Sequence, residues 1–165
     1  MLVDKEVISI NTELGQGDFM NMSYLANGSN SEVYIATFEN KQVIVKMLMK
    51  NVRNPRLALQ EINLEHGILA RLSHPNVVKI LGAGEDPHKF IVLEYLSSGT
   101  LQELLHPQSD PRSVSIIQFS SFFNKKLSAL PIPIDRCLSM ARDIANALKY
   151  LHEDCGEEVT IIHRG

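Results

Sequence analysis

The sequence has few of the residues that define several large protein classes. It contains no tryptophan and only two cysteines, Cys137 and Cys155, which do not form a Cys-x-x-Cys pair. This scarcity argues against a disulfide framework or a zinc finger and favours a reducing intracellular compartment, the cytosol or the nucleus. No apolar run approaches the ~20 residues that cross a bilayer, and no signal-peptide core is visible near the start.

The sequence also lacks a large excess of charge of either sign. The formal net charge is −3 and the pI is about 6.1, with no clustered basic stripe. A nucleic-acid-binding protein or one that docks on anionic lipid would usually carry a basic balance, so we expect neither partner. The 165 residues and 44% apolar content suit one soluble globular domain.

The hydrophobic pattern predicts an α+β fold after a leader, 1–20, that has no clear periodicity. Alternating and β-branched residues indicate strands joined by short polar connections, which favours antiparallel pairing. Five strands are predicted to form the sheet, at 21–27, 32–38, 42–49, 77–81 and 90–94. The other predicted elements are a helix at 55–72, a short helix at 100–105, a loop insertion at about 107–133, an amphipathic helix at 134–152 and a short strand at 159–163.

A turn rich in small residues separates the first two predicted strands. Its sequence is Leu25-Ala26-Asn27-Gly28-Ser29-Asn30-Ser31, and Val33 follows on the next strand. Small residues allow backbone N–H groups to approach phosphate oxygens, although a plain hairpin explains the same composition. The more glycine-rich stretch at 14–19 is rejected as the phosphate loop, because no Val-rich strand ending in lysine follows it at the right distance.

Lys46 ends a strongly apolar strand segment that contains Ile44, and a charge there needs either a partner or a path to solvent. The helix at 55–72 carries Glu65 within its apolar arc, where a carboxylate needs a cation. Lys46 is therefore the candidate partner of Glu65. Glu61 lies on the same arc one turn earlier and is the alternative.

Two further segments follow the glycine turn, Lys46 and the acids of the helix. The apolar run 90–93 leads through Glu94 and Leu96 into a Gly-containing break, and the chain ends with Ile161-Ile162-His163-Arg164-Gly165 after the amphipathic helix. In order and spacing these features resemble the protein kinase domain from about Met22 to Gly165, and most closely the tyrosine-kinase-like group of serine/threonine kinases.

The resemblance implies an ATP site and a role for each motif. Lys46 and Glu65 would form the catalytic ion pair, since the distance to His74-Pro75-Asn76 favours Glu65 over Glu61. Leu93 would be the gatekeeper, and Glu94 and Leu96 would offer backbone groups to adenine. The residues implied to contact ATP are Leu25, Ala26, Asn27, Gly28, Ser29, Asn30, Ser31, Val33, Ile44, Lys46, Leu93, Glu94 and Leu96.

The same resemblance divides the chain into a leader at 1–20, a kinase N-lobe at 21–96, and a hinge exit with a partial C-lobe at 97–165. Mg²⁺ is expected for the family, but Gly165 stands where the catalytic aspartate should be, and the metal-binding Asp-Phe-Gly is absent from the sequence. We therefore expect a protein Ser/Thr kinase domain, cut at its catalytic loop, that is inactive alone.

Two alternatives share this fold: a pseudokinase that binds nucleotide or a partner, and a non-functional truncated fragment. A protein substrate is expected for the full-length family, and the helix at 134–152 is expected to contact the rest of the C-lobe or a partner.

Overall fold

A computed structural model describes residues 11–101, 104, 132–155 and 161. Its elements, in chain order, are β1 (Asn11–Gly15), a 3₁₀ turn (Gln16–Asp18), β2 (Met20–Asn27), β3 (Ser31–Phe38), β4 (Lys41–Leu48), α1 (Pro55–Leu69), β5 (Ile80–Asp86), β6 (Phe90–Glu94), α2 (Ile134–Lys149) and a π-helical turn (Tyr150–Asp154). No helix within these residues is both long and apolar enough to cross a membrane.

The strands form one six-stranded sheet in the order β1-β5-β6-β4-β3-β2. All neighbouring pairs are antiparallel except β1 and β5, which are parallel. The α+β class, with one sheet flanked by a helix and followed by a further helix, is confirmed. The expected count of five antiparallel strands was wrong, because the leader supplies a sixth strand and makes the sheet mixed.

A close backbone approach explains both the extra strand and a shifted boundary. The fourth predicted strand, 77–81, starts later and runs further, as β5 (Ile80–Asp86). Gly84 lies in the part that was predicted to be a connection, and a Cβ there would clash with the Leu14 carbonyl oxygen and the Phe90 ring. Glycine therefore permits β1 to pair there, and the Leu14 side chain is buried at 6% exposure.

The β3–β4 hairpin depends on a two-residue turn. Glu39 and Asn40 have φ values of 47° and 61°, and Phe38 pairs with Lys41. Positive φ at both central positions is the geometry of a type I′ turn, whose twist matches that of the flanking strands. The turn therefore fixes the β3–β4 register.

Alternation along β4 divides the core into two clusters. Val43, Val45 and Met47 are buried on one face with Phe90. The other face lies under α1, where Ile62, Ile80, Ala83 and Ile91 form the second cluster and Leu48 packs against it. Lys46, which is out of phase with the buried residues of β4, therefore faces the helix.

Helix α1 begins as its sequence predicts. Asn54 is the N-cap, its Oδ1 accepting from the Leu57 N–H at 3.2 Å, and Pro55 occupies the first helical position. The helix ends at Leu69, three residues before the predicted end, as the chain tightens: the Leu72 N–H donates to the Leu69 carbonyl at 3.2 Å. The tighter turn leads into the segment before β5.

The end of α2 is anchored to the segment after α1. The Tyr150 ring stacks on His74 with centroids 4.8 Å apart, and its hydroxyl oxygen accepts from the Ser73 N–H at 2.9 Å. Leu72 and Leu151 are buried together beside them. None of the 16 residues of α2 itself is buried, so this anchor carries its attachment to the described part of the fold.

Several predicted segments lie outside the described residues. These are most of the short helix at 100–105, the loop insertion from 107 to 131, and the strand at 159–163 apart from Ile161. Within the first, the Leu104 N–H donates to the Thr100 carbonyl at 3.1 Å, which is a helical step. The division into a leader, an N-lobe and a partial C-lobe stays a prediction.

Gly84→Ala should lower the free energy of unfolding by about 1–3 kcal/mol, because the added methyl group meets the Leu14 carbonyl and the Phe90 ring. Urea unfolding followed by circular dichroism measures the change. Gly67→Ala is the matched control: nothing lies within 4 Å of a Cβ at this α1 position, so we expect stabilisation of about 0.5–1 kcal/mol. Equal stabilities of the two variants would contradict the close approach of β1.

Candidate functional site

Lys46 and Glu65 form an ion pair between the sheet and helix α1. The Lys46 Nζ lies 2.8 Å from Glu65 Oε1 and 2.5 Å from Glu65 Oε2. Their side chains are 29% and 33% exposed, so the pair lies at the edge of the core with access to solvent. Of the two acids weighed on α1, Glu65 is the one that contacts the lysine.

Cross-strand pairing places Lys46 in a row of predicted site residues. Ala26 pairs with Val33, Val33 with Lys46, and Lys46 with Ile91, across β2, β3, β4 and β6. Directly opposed residues share a face of the sheet, so Ala26 and Val33 lie on the same face as the lysine. The half-buried side chains of Ala26 and Val33 leave an apolar strip beside the ammonium group.

The residues predicted to flank adenine lie one step along the strands. Ile44 pairs directly with Leu93, and both belong to the face that carries Lys46. Leu93 also packs against the cluster under α1. The structure thus brings Ile44, Lys46 and Leu93 together, while Leu25 lies at a register shift of β2 next to this surface.

The turn after β2 is closed by its own backbone. The Gly28 N–H donates to the Ser31 carbonyl at 2.7 Å, and a Cβ at Gly28 would lie 2.7 Å from Ser31 Oγ. Ser31 is buried at 6% exposure, whereas Asn27, Gly28 and Ser29 are exposed. Gly28 therefore leaves the tip of the turn open to a ligand without displacing Ser31.

The turn also contacts α1. Asn30 Nδ2 donates to Glu61 Oε2 at 2.8 Å, and the Asn30 carbonyl accepts from the Met49 N–H at 3.1 Å. The sequence interpretation missed this role of Glu61, which it weighed only as a partner for Lys46. The four-residue spacing of Glu61 and Glu65 was the available signal, since it puts both carboxylates on one helix face.

At the end of β6, Glu94 was expected to offer backbone groups to adenine, and one of these groups already has a partner within the fold. The Glu94 N–H donates to the Lys79 carbonyl at 3.0 Å, and its carboxylate accepts from the Lys79 N–H at 2.8 Å. The Glu94 N–H is thus already used, which leaves its carbonyl as the group that a ligand could contact. Leu96 is 60% exposed beyond the end of β6.

A cleft of about 260 Å³ lies on the other side of Glu94, lined by Leu72, Ser73, His74, Pro75, Val77 and Lys79. It shares only Glu94 with the predicted ATP contacts. The cleft is therefore a separate feature between the end of α1 and β6.

His66 follows Glu65 on α1 and differs from it in environment. Burial lowers the pKa of His66 below the ordinary 6.5, and the nearby positive charge of Lys89 lowers it further. Its Nε2 atom is buried, and among the described residues it has no hydrogen-bond partner. Protonation of His66 would put an unpaired charge beside Lys89, so the neutral form belongs to the folded state.

The chemistry of this surface suits a phosphate anion. One ammonium group is held by a carboxylate at the end of an apolar strip, and an exposed glycine turn joins the neighbouring strands β2 and β3. Within 11–101 and 132–155, no three His, Cys, Asp or Glu side chains group closely enough to hold a metal ion. The described residues therefore fit the phosphates of a nucleotide and offer no metal site of their own.

Comparison with known proteins gives a consistent family. The family model described as "Protein tyrosine and serine/threonine kinase" matches residues 8–165. The chain is 32% identical over 164 residues to serine/threonine-protein kinase CTR1 of Arabidopsis thaliana, covering 93% of the chain and 17% of CTR1. It is 29% identical over 148 residues to serine/threonine-protein kinase VIK of the same plant, covering 89% of the chain and 28% of VIK.

A relative from another organism gives a similar result. Probable serine/threonine-protein kinase drkB of Dictyostelium discoideum is 28% identical over 163 residues, which cover 98% of the chain and 19% of drkB. The chain thus spans less than a third of the length of each of these three relatives.

His66→Phe should remove part of the acid sensitivity of folding. With a folded-state pKa below 6.5, the wild-type chain has its full His66 contribution above about pH 6.5 and loses it as the pH falls. The free energy of unfolding, measured by urea titration between pH 8 and pH 5, should fall less steeply for the variant. Parallel curves for the two proteins would show that His66 titrates alike in the folded and unfolded states.

Proposed function

The chain belongs to the protein tyrosine and serine/threonine kinase family, and from this membership we propose that it binds ATP on the sheet face that carries Lys46. The proposal rests chiefly on the bidentate contact between Lys46 Nζ and the Glu65 carboxylate, at 2.8 and 2.5 Å. A lysine held at a fixed position beside an apolar strip can meet a phosphate oxygen without ordering its own side chain first.

Each group of the site has a separate task in this proposal. Lys46 neutralises phosphate charge, and Glu65 orients the ammonium group. The exposed turn at Gly28 and Ser29 would lie against further phosphate oxygens, while Val33, Ile44 and Leu93 cover the flat face of the base. Bound ATP would supply the transferable phosphoryl group.

The proposal extends to the substrate of the whole protein and to its compartment. The relatives CTR1, VIK and drkB are named serine/threonine kinases, so we propose that the whole protein, of the tyrosine-kinase-like group, phosphorylates Ser or Thr of a protein substrate. The scarcity of cysteine, two residues in 165, supports a cytosolic or nuclear site of action.

Lys46→Ala should weaken ATP binding by about 10-fold or more, because a charged hydrogen-bond donor to phosphate is lost. Isothermal titration calorimetry of the 165-residue chain measures the dissociation constant. Lys41→Ala is the matched control, since Lys41 is exposed at the other end of β4. This variant should bind ATP as the wild type does. Unchanged affinity of the Lys46 variant would refute this placement of the phosphates.

The 165-residue polypeptide should transfer no phosphoryl group to protein. Gly165 stands where the family resemblance puts the catalytic aspartate, and the sequence has no Asp-Phe-Gly to hold Mg²⁺. Incubation with radiolabelled ATP, Mg²⁺ and casein, beside an active kinase as positive control, gives the readout. Labelled casein that disappears in the Lys46→Ala variant would overturn the expectation of inactivity while supporting the ATP site.

A further inference from the structure

Asn30 connects the glycine turn to helix α1 across 31 positions of sequence. Its side-chain amide donates to Glu61 Oε2 at 2.8 Å. Asn30 is half-buried and Glu61 is exposed, so the contact lies at the surface, where neither side chain is needed to fill the core. A contact of this kind does little for burial and instead fixes the relative position of the two segments.

The backbone of the turn is fixed at the same place. The Asn30 carbonyl accepts from the Met49 N–H at 3.1 Å, directly after β4, and the Gly28 N–H donates to the Ser31 carbonyl at 2.7 Å. The second half of the turn is therefore tied to the end of β4 and to α1, while its exposed tip at Gly28 has only the bond within the turn.

Two carboxylates on α1 face this region. Glu61 and Glu65 are four residues apart, and like charges at that spacing repel each other on a helix surface. Each has its own donor: Asn30 for Glu61 and Lys46 for Glu65. Because α1 is a rigid element, a displacement that breaks one contact disturbs the other.

We propose that Asn30 is a positioning residue, which holds the glycine turn in its ligand-binding arrangement only while α1 also pairs Glu65 with Lys46. The turn and the ion pair then act as one unit. This inference rests on the proposed ATP site. Asn30 acts through the backbone of the turn, by sparing ATP the cost of ordering it.

Exchanging the two side-chain types provides a specific test. Asn30→Asp keeps the size of the side chain but sets a carboxylate against Glu61, so the bond is lost. The double variant Asn30→Asp/Glu61→Gln restores a bond of reversed polarity, with the Gln amide as donor. Glu61→Gln alone keeps an acceptor oxygen for Asn30, and Gln60→Ala is an exposed control on the same helix.

The first readout needs no nucleotide. Hydrogen exchange of the Gly28 and Met49 amides, both bonded within or to the turn, should be faster in Asn30→Asp by about threefold to tenfold, the effect expected for one net hydrogen bond. The double variant should return to within about twofold of the wild type. Equal exchange in all variants would show that the side-chain contact does not hold the turn, and would overturn the inference.

The second readout is ATP affinity by calorimetry. Asn30→Asp should weaken ATP binding by about threefold to tenfold. Adding Glu61→Gln to Asn30→Asp should restore affinity, and this gain should exceed the change that Glu61→Gln alone causes in the wild type. Equal losses in the Asp variant and the double variant would overturn the inference and leave the ATP site standing, because they would trace the loss to repulsion of phosphate. A wild-type chain that binds no ATP would overturn the proposed function itself, and the inference with it.

Discussion

Lys46 brings a positive charge into a strand whose flanking residues, Val45 and Met47, are buried. Strand alternation turns it toward α1, and its charge then requires an acid on that helix. Once Glu65 contacts Lys46, the rotation of α1 about its axis is set. Ala58 and Ile62 are then the buried residues of the helix, and Ile62 packs in the second cluster. The ion pair thus adds a specific register to the apolar packing of α1 on the sheet.

The parts of the fold that depend on local sequence were predictable. The β-branched run of β4, the Asn54 cap of α1 and the polar turn at Glu39 each determine their own geometry, and the predicted bounds at 42–49 and 90–94 agree with β4 and β6 to within one residue. The contact between Lys46 and Glu65 could also be predicted from the sequence, because a charged residue within the apolar arc of a helix needs a partner of opposite charge.

The parts that depend on distant contacts were not predictable. The leader strand β1 has no hydrophobic alternation that would predict a strand. The sequence around Gly84 is typical of a turn, and only the position of β1 against Gly84 explains why a glycine stands within a strand. These two errors therefore have a single cause. The contact of Glu61 with Asn30 was missed because each residue alone suits an exposed position.

The parallel pairing of β1 with β5 has a consequence for how the chain acquires its fold. Leu14 opposes Gly84, so β1 is synthesised about 70 residues before its partner. At ribosomal rates of roughly 5–20 residues per second, the Leu14 side chain of β1 stays without its partner strand for several seconds. The antiparallel hairpin of β3 and β4 can close meanwhile, since its strands are adjacent in sequence. Of the six strands described, β1 thus leaves the ribosome before the other five and is among the last to be incorporated.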